Sequence, residues 1–275
     1  MRRQSPVHAT ALSTTALVLL LLTSPLAETL PAAEGFSDPV DREFTAHLDG
    51  STQKYVELVP TGFDLAQPVD VVITLHGHGS DRWQYIREAR GECRGVRDVA
   101  AKHGMLVISP DYRAKTSWMG PAAEADLVQL LELLKERYRL RRTYLAGGSM
   151  GGTSALIFAA LRPKLVSGVL SENGTANMLE YDQFQEAIIA SYGGTKPDRA
   201  EEYKRRSPEL FPERLTMPLA LTVGGQDTLV PPHSVRRLAA RLREAGRKDV
   251  LLVDDPQGGH STDYNTTVSA FEFIL

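Results

Sequence analysis

Residues 143–152 read Thr143-Tyr144-Leu145-Ala146-Gly147-Gly148-Ser149-Met150-Gly151-Gly152. An apolar, strand-like run leads into Gly-x-Ser-x-Gly, and a small-residue stretch with helical character, Thr153 to Leu161, leaves it. That context makes the serine read as a nucleophile elbow. A hydroxyl oxygen is a poor nucleophile at neutral pH. It has to be pushed out of the backbone on a tight turn where a base can reach it, and glycines permit such a turn.

Outward from this turn, short apolar runs rich in β-branched residues recur in both directions: Val69–Leu75, Met105–Ile108, Val166–Leu170, Leu219–Val223 and Val250–Val253. Such runs suit strands covered on both faces. Tyr55–Val59 alternates instead, as a half-exposed strand does. Between the strands lie helical spacings. Leu127, Leu130, Leu131, Leu134 and Tyr138 share one face, while Val235, Leu238 and Leu242 share another that Gly246 terminates. Strands alternating with helices predict an α/β fold, a mostly parallel central sheet flanked by helices, with functional groups on loops at the strand carboxyl ends. Residues 172–217 hold no clear strand but contain Gly193-Gly194, Pro197, Pro208 and Pro212, and predict a small cap-like insertion of short helices.

Three loops carry what acyl transfer to a serine requires. Ser149 would attack a carbonyl carbon, and His260, in Gln257-Gly258-Gly259-His260-Ser261 after the last strand, would take its proton. Asp227, in Gly224-Gly225-Gln226-Asp227-Thr228 after the preceding strand, would hold the imidazole in one tautomer. Glu172, Asp254 and Asp255 are the rival acids. For the oxyanion, the amide of Met150 is one expected donor, and His76-Gly77-His78-Gly79-Ser80 supplies the other, with His78 preferred and Gly79 second. Reading His76-x-His78 as a metal site lacks a third ligand nearby, so neither metal nor cofactor is expected. Tyr112, Trp118 and Met119 are candidate pocket residues, and Trp83, Tyr181 and Phe184 also fall on or near the expected loops.

With this map in place the chain resembles the α/β-hydrolase superfamily, in its prolyl oligopeptidase-like and feruloyl or acetylxylan esterase-like branches. The resemblance rests on Leu75-His76-Gly77, on Gly147 to Gly152, and on Gly224 to Pro232 followed by Gly259-His260. It implies an α/β-hydrolase catalytic domain over 55–275, with Ser149 as nucleophile, Asp227 as acid and His260 as base. The roughly 50 residues before Tyr55 are too few for two blades of the β-propeller that full oligopeptidases carry. Cleavage of carboxylic esters, on small molecules or on polysaccharide-linked esters, is therefore expected first and peptide hydrolysis second. A binding module that keeps the scaffold without the chemistry is the alternative of another class.

Composition narrows the partners. Of 275 residues, 31 are Lys or Arg and 34 Asp or Glu, a formal charge of −3 without a basic tract, so nucleic acid is not an expected partner. Arg2 and Arg3 precede an apolar run, Ala16–Leu22, and then Pro25 and several alanines, the layout of a secretory signal. Residues 1–27 are read as that signal, with a cut between 27 and 33, and residues 28–54 as a polar N-terminal segment. The apolar run is shorter than the roughly 20 residues that span a bilayer, so export to a periplasmic or extracellular space is expected without a stable membrane span. The single cysteine, Cys93, forms no intrachain disulfide and reads as a small buried hydrophobe.

Overall fold

Val69–Leu75 is buried along its whole length, and its side chains divide strictly by parity: Val69, Val71, Ile73 and Leu75 enter one apolar cluster, Val72 the other. A strand with two apolar faces belongs in the middle of a sheet covered by helices on both sides. The computed structural model describes Met1 and residues 35–275, so the signal-like segment, its cut positions and the lead-in up to residue 34 lie outside the described residues. Within the unit Ala32–Leu275 the strands are β1 (Val40–Thr45), β2 (Thr52–Leu58), β3 (Val69–Leu75), β4 (Leu106–Pro110), β5 (Leu140–Gly148), β6 (Gly168–Glu172), β7 (Leu219–Gly224) and β8 (Val250–Asp255). They form one sheet in the order β1-β2-β4-β3-β5-β6-β7-β8, antiparallel at β1–β2 and β2–β4 and parallel elsewhere.

The helices are α1 (Gln84–Arg87), α2 (Gly91–Lys102), α3 (Pro121–Arg137), α4 (Met150–Leu161), α5 (Gln185–Tyr192), α6 (Ala200–Arg205), α7 (His233–Glu244) and α8 (Tyr264–Phe273). On one face α2 and α8 bury Cys93, Val96, Val99 and Phe271 against Val72, Val107, Ala146 and Leu170. On the other, α3, α4 and α7 bury Leu127, Leu130, Leu156, Phe158 and Leu238 against the odd-numbered residues of β3 and against Leu145 and Leu221. The Cys93 thiol is fully buried, and that burial pushes it up to about 12. Because β3 has β4 on one side and β5 on the other, the strand order reverses there, which opens a crevice at the carboxyl ends.

The stretch 28–54, expected to be a polar lead-in, contributes β1 and the start of β2. Val40-Asp41-Arg42-Glu43-Phe44-Thr45 has no apolar stripe and is nowhere fully buried. It is an edge strand held by its register with β2, from Val40 opposite Glu57 to Thr45 opposite Thr52, and by the ion pair of Arg42 with the buried Glu57. Between β6 and β7, α5, α6 and two 3-10 turns (Pro208–Leu210, Pro212–Arg214) fill the segment expected to be cap-like. It is tied down by Arg206, whose wholly buried guanidinium donates to Glu202 at 2.5 Å, Glu124 at 2.8 Å and the Met119 carbonyl at 2.5 Å. Among the described residues no helix is long and apolar enough to cross a membrane.

Candidate active site

The turn after β5 concentrates its strain on the serine itself. Ser149 has φ 58° and ψ −120°, a conformation that costs a residue with a Cβ and persists only where the surroundings enforce it. Enforcement comes from both sides: the Ser149 amide donates to the Glu172 carbonyl at 2.8 Å, and the Ser149 carbonyl accepts from the Thr153 amide at 3.0 Å. The glycines serve close approach rather than dihedral freedom. A Cβ on Gly151 would stand 1.9 Å from the Leu75 carbonyl oxygen, and one on Gly147 would stand 2.5 Å from the Gly151 carbonyl carbon. The amino end of α4 is thereby pressed against the end of β3.

The loops after β7 and β8 are laced together: the Gly225 amide donates to the Asp255 carbonyl at 2.7 Å and the Gln226 amide to the Gly258 carbonyl at 2.8 Å. That lacing brings the two remaining groups to the serine. His260 Nε2 lies 2.9 Å from Ser149 Oγ, and His260 Nδ1 lies 2.7 Å from Asp227 Oδ2. The other carboxylate oxygen of Asp227 accepts from the amides of Leu229 at 3.0 Å and Val230 at 2.9 Å, and its side chain is 1% exposed. An acceptor so fixed can serve only as the partner of the imidazole N–H. The rival acids are engaged elsewhere: Asp254 with Arg236 at 2.7 Å, Asp255 with the Gln257 amide at 3.0 Å, and Glu172 with the Thr267 hydroxyl at 2.5 Å.

Of the four amides from Gly77 to Ser80, only that of His78 has no acceptor among the described residues: Gly77 donates to Gln84 Oε1 at 2.7 Å, Gly79 to the Lys115 carbonyl at 2.8 Å and Ser80 to the Gly77 carbonyl at 3.2 Å. Gly79, the second oxyanion candidate, is therefore engaged elsewhere. The Met150 amide opens α4, where a helix offers no internal acceptor. Burial lowers each imidazole of the loop below its usual range. His76 spans the carbonyls of Gly77 and Asp111 at 2.9 and 3.3 Å, while His78 Nδ1 accepts from the Trp118 indole at 3.1 Å. The two rings do not present a pair of ligands to a metal.

The three expected pocket residues are not on the wall of the site. Tyr112, Trp118 and Met119 all have positive φ, at 30°, 44° and 52°, and all are buried. Tyr112 donates to the His76 carbonyl at 2.6 Å, and Trp118 stands behind His78, ring centroids 5.9 Å apart. The wall is a cleft of 550 Å³ that includes Ser149 and His260. Its lining includes the apolar Phe184 and Leu229 beside His78, and a polar set made of Gln84, Tyr85, Glu88, Arg90, Glu92, Glu172 and Thr262. Arg90 bridges Glu88 at 2.6 Å and Glu92 at 3.4 Å on the rim. Sequence reasoning missed this polar side. Its one signal was a dense polar run, Gln84 to Glu92, in the connection that leaves the carboxyl end of β3.

Residues 98–274 match the prolyl oligopeptidase family, which is more than half of the chain. A search of curated protein sequences finds no significant relative. Among solved structures, the chain resembles a putative dipeptidyl aminopeptidase IV from Bacteroides ovatus, at 17% identity and TM-score 0.72 over 88% of this chain and 36% of that one. Fluorophosphonate-binding serine hydrolase F of Staphylococcus aureus aligns at 17% identity and TM-score 0.63, over 86% of this chain and 96% of that one. Acylaminoacyl peptidase of Pyrococcus horikoshii aligns at 17% identity and TM-score 0.68, over 87% of this chain and 40% of that one. The chain thus spans well under half the length of the two peptidases and nearly the whole of the small hydrolase. At these identities the likeness establishes the α/β-hydrolase fold.

Proposed function

Because the chain belongs to the prolyl oligopeptidase family of α/β-hydrolase serine hydrolases, we propose that it cleaves carboxylic esters through an acyl-enzyme on Ser149. The observation that carries this reading is the unbroken chain of hydrogen bonds from Ser149 Oγ through His260 to Asp227. In the first step Ser149 Oγ attacks the carbonyl carbon as His260 Nε2 takes its proton, and Asp227 stabilises the imidazolium through Nδ1–H. The oxyanion is received by the amides of Met150 and His78, each without an acceptor among the described residues. His260 then returns the proton to the departing alcohol. Water, deprotonated by the same imidazole, adds to the acyl carbon, and as the bond to Ser149 Oγ breaks the imidazolium returns the proton to that oxygen and the acid leaves.

Esters come before amides because the chain matches nearly the full length of a small hydrolase and its cleft carries a hydrogen-bonding wall suited to hydroxyl-bearing, carbohydrate-linked substrates. Peptide hydrolysis is the second reading, supported by the family match and by the two peptidases of like fold. Export is part of the proposal, supported by the Arg2-Arg3 and Ala16–Leu22 layout, and amino-terminal sequencing of protein recovered outside the cytoplasm tests it.

Fluorophosphonate labelling of the wild type and of Ser149→Ala tests the nucleophile. The wild type is expected to label and the variant to remain blank; equal labelling removes Ser149 from the mechanism. Asp227→Asn should keep a residual rate about 10⁴-fold below the wild type. A panel of 4-nitrophenyl esters against peptide anilides ranks the two chemistries by kcat/KM, and faster anilide cleavage would put peptide hydrolysis first.

A further inference from the structure

Two oxygens in the polar wall of the cleft have no hydrogen-bond partner among the described residues. The Tyr85 hydroxyl and Glu172 Oε2 are both buried and unpaired, and the residues that carry them are each 1% exposed. Buried polar atoms in native proteins are almost always paired, so two unpaired ones in one wall call for a partner from outside. The residues that carry them line the same cleft as the candidate nucleophile. Glu172 gives its backbone carbonyl to the Ser149 amide, and Tyr85 reaches the same spot from α1.

Gly148 makes the spot reachable. A Cβ built there would find the Tyr85 oxygen at 3.5 Å and the Glu172 carbonyl at 3.9 Å, with nothing nearer. Glycine at position 148 therefore keeps any side chain from standing between the cleft and the phenol oxygen. Burial pushes the Glu172 carboxyl up to about 8, with the Thr267 hydroxyl acting in the opposite direction, so at neutral pH the acid is protonated and uncharged. Thr267 donates to Oε1, which leaves Oε2 as the unpaired oxygen of the acid. A protonated carboxyl and a phenol each donate and accept. The matching group is neutral and does both. An ammonium would be buried against an acid that is itself uncharged.

We infer that Tyr85 and Glu172 form a subsite for a hydroxyl group of the substrate, seated in the space beside Gly148 and next to the scissile ester. This inference rests on the ester-hydrolase reading above and specifies what that hydrolase selects. The hydroxyl is recognised, not transformed.

The test compares matched esters with and without one hydroxyl: 4-nitrophenyl glycolate against acetate for the acyl side, and 2-hydroxyethyl against ethyl esters for the alcohol side. Each ratio is corrected by the same ratio in alkaline hydrolysis. A preference of about tenfold for the hydroxylated member in one series is expected, reduced to near unity in Tyr85→Phe. Glu172→Gln, which retains a donor and an acceptor, should keep part of it. Tyr85→Phe should also melt at or above the wild-type temperature, because the lost hydroxyl had no partner. Ratios near one in both series in a wild type that still turns over 4-nitrophenyl acetate through Ser149 would overturn the subsite but leave the hydrolase. Faster cleavage of a glycine ester than of the glycolate would assign the wall to an ammonium and overturn the hydroxyl. A clear loss of thermal stability in Tyr85→Phe would show that the phenol is already used inside the protein, and would overturn the inference whether or not any ester is cleaved.

Discussion

The elbow and the segment between β6 and β7 meet over the same cleft but are built by opposite means. At the elbow the constraints are mainly backbone: a strained Ser149, two glycines at contact distance and hydrogen bonds to β6 and within α4, to which the Thr153 hydroxyl adds one bond to the Ser149 carbonyl at 3.1 Å. The segment between β6 and β7 is held by side chains, above all the buried guanidinium of Arg206 between Glu124 and Glu202, and Glu209 gripped by Arg237 at 2.5 Å and by Asn177 at 3.0 Å. Rigid backbone fixes the reacting atoms, while ionic clamps fix the wall above them. Position is set by sterics, and the shape of the opening by charge.

The hardest test of that contrast is Gly151→Ala. With the new methyl carbon 1.9 Å from the Leu75 oxygen, α4 must shift away from β3, and a loss of more than about 4 kcal/mol is expected, read as a fall in melting temperature of about 10 °C together with loss of fluorophosphonate labelling. A variant that melts normally would show that the elbow is not sterically fixed. Next in size is Arg206→Met, which takes the buried guanidinium from Glu124 and Glu202 but leaves Arg162 at 2.9 Å on Glu124 and Arg205 at 3.4 Å on both; a cost of about 3 kcal/mol, the low end for breaking a buried pair, is expected. Hydrogen exchange should then quicken in α5 and α6 while α4 stays protected. Uniform loss of protection would merge the two regions into one cooperative unit.

Glu172 stands where the two regions join, and its effect depends on pH. Its folded carboxyl is raised from 4.5 to about 8, so the native state holds a proton that the unfolded chain releases. The stability this confers is complete below pH 4.5 and is lost as pH rises through 8. Denaturant titrations of Glu172→Gln, which cannot ionise, should therefore gain on the wild type across that interval, by on the order of a few kcal/mol at its upper end. Parallel curves would mean that the carboxyl titrates normally. The smallest effect is expected for Phe184→Ala: its ring stacks on His78 with centroids 4.2 Å apart, and its loss should change KM by a few-fold, with the labelling rate of Ser149 nearly constant.

What could be read from the chain follows the same division. The order Ser149, Asp227, His260 was legible because each lies in a glycine-rich loop after an apolar run, a local signal set by the backbone. The helices α3 and α7 were legible from their apolar stripes. β1 was not, since an edge strand whose exposed residues include Asp41 and Glu43 shows no apolar stripe, and it is held by pairing with β2 together with the packing of Phe44 and the ion pairs of Asp41 and Arg42. Trp118 and Met119 suggest a pocket because large side chains near a site usually line one; both are instead buried in the core, at positive φ that nothing in the sequence marks. Arg90 between Glu88 and Glu92 looks like ordinary solvated charge until the fold sets it on the rim of the cleft.

The burial of Cys93 has a practical consequence. Its sulfur is sealed inside the layer formed by α2 and α8 and resists ionisation, so thiol-directed dyes find no reactive site on the folded chain. A cysteine introduced at exposed Asp182 would be the sole handle for such a dye, and its fluorescence could then follow excursions of the wall above Ser149 in real time without first stripping the protein of its natural sulfhydryl.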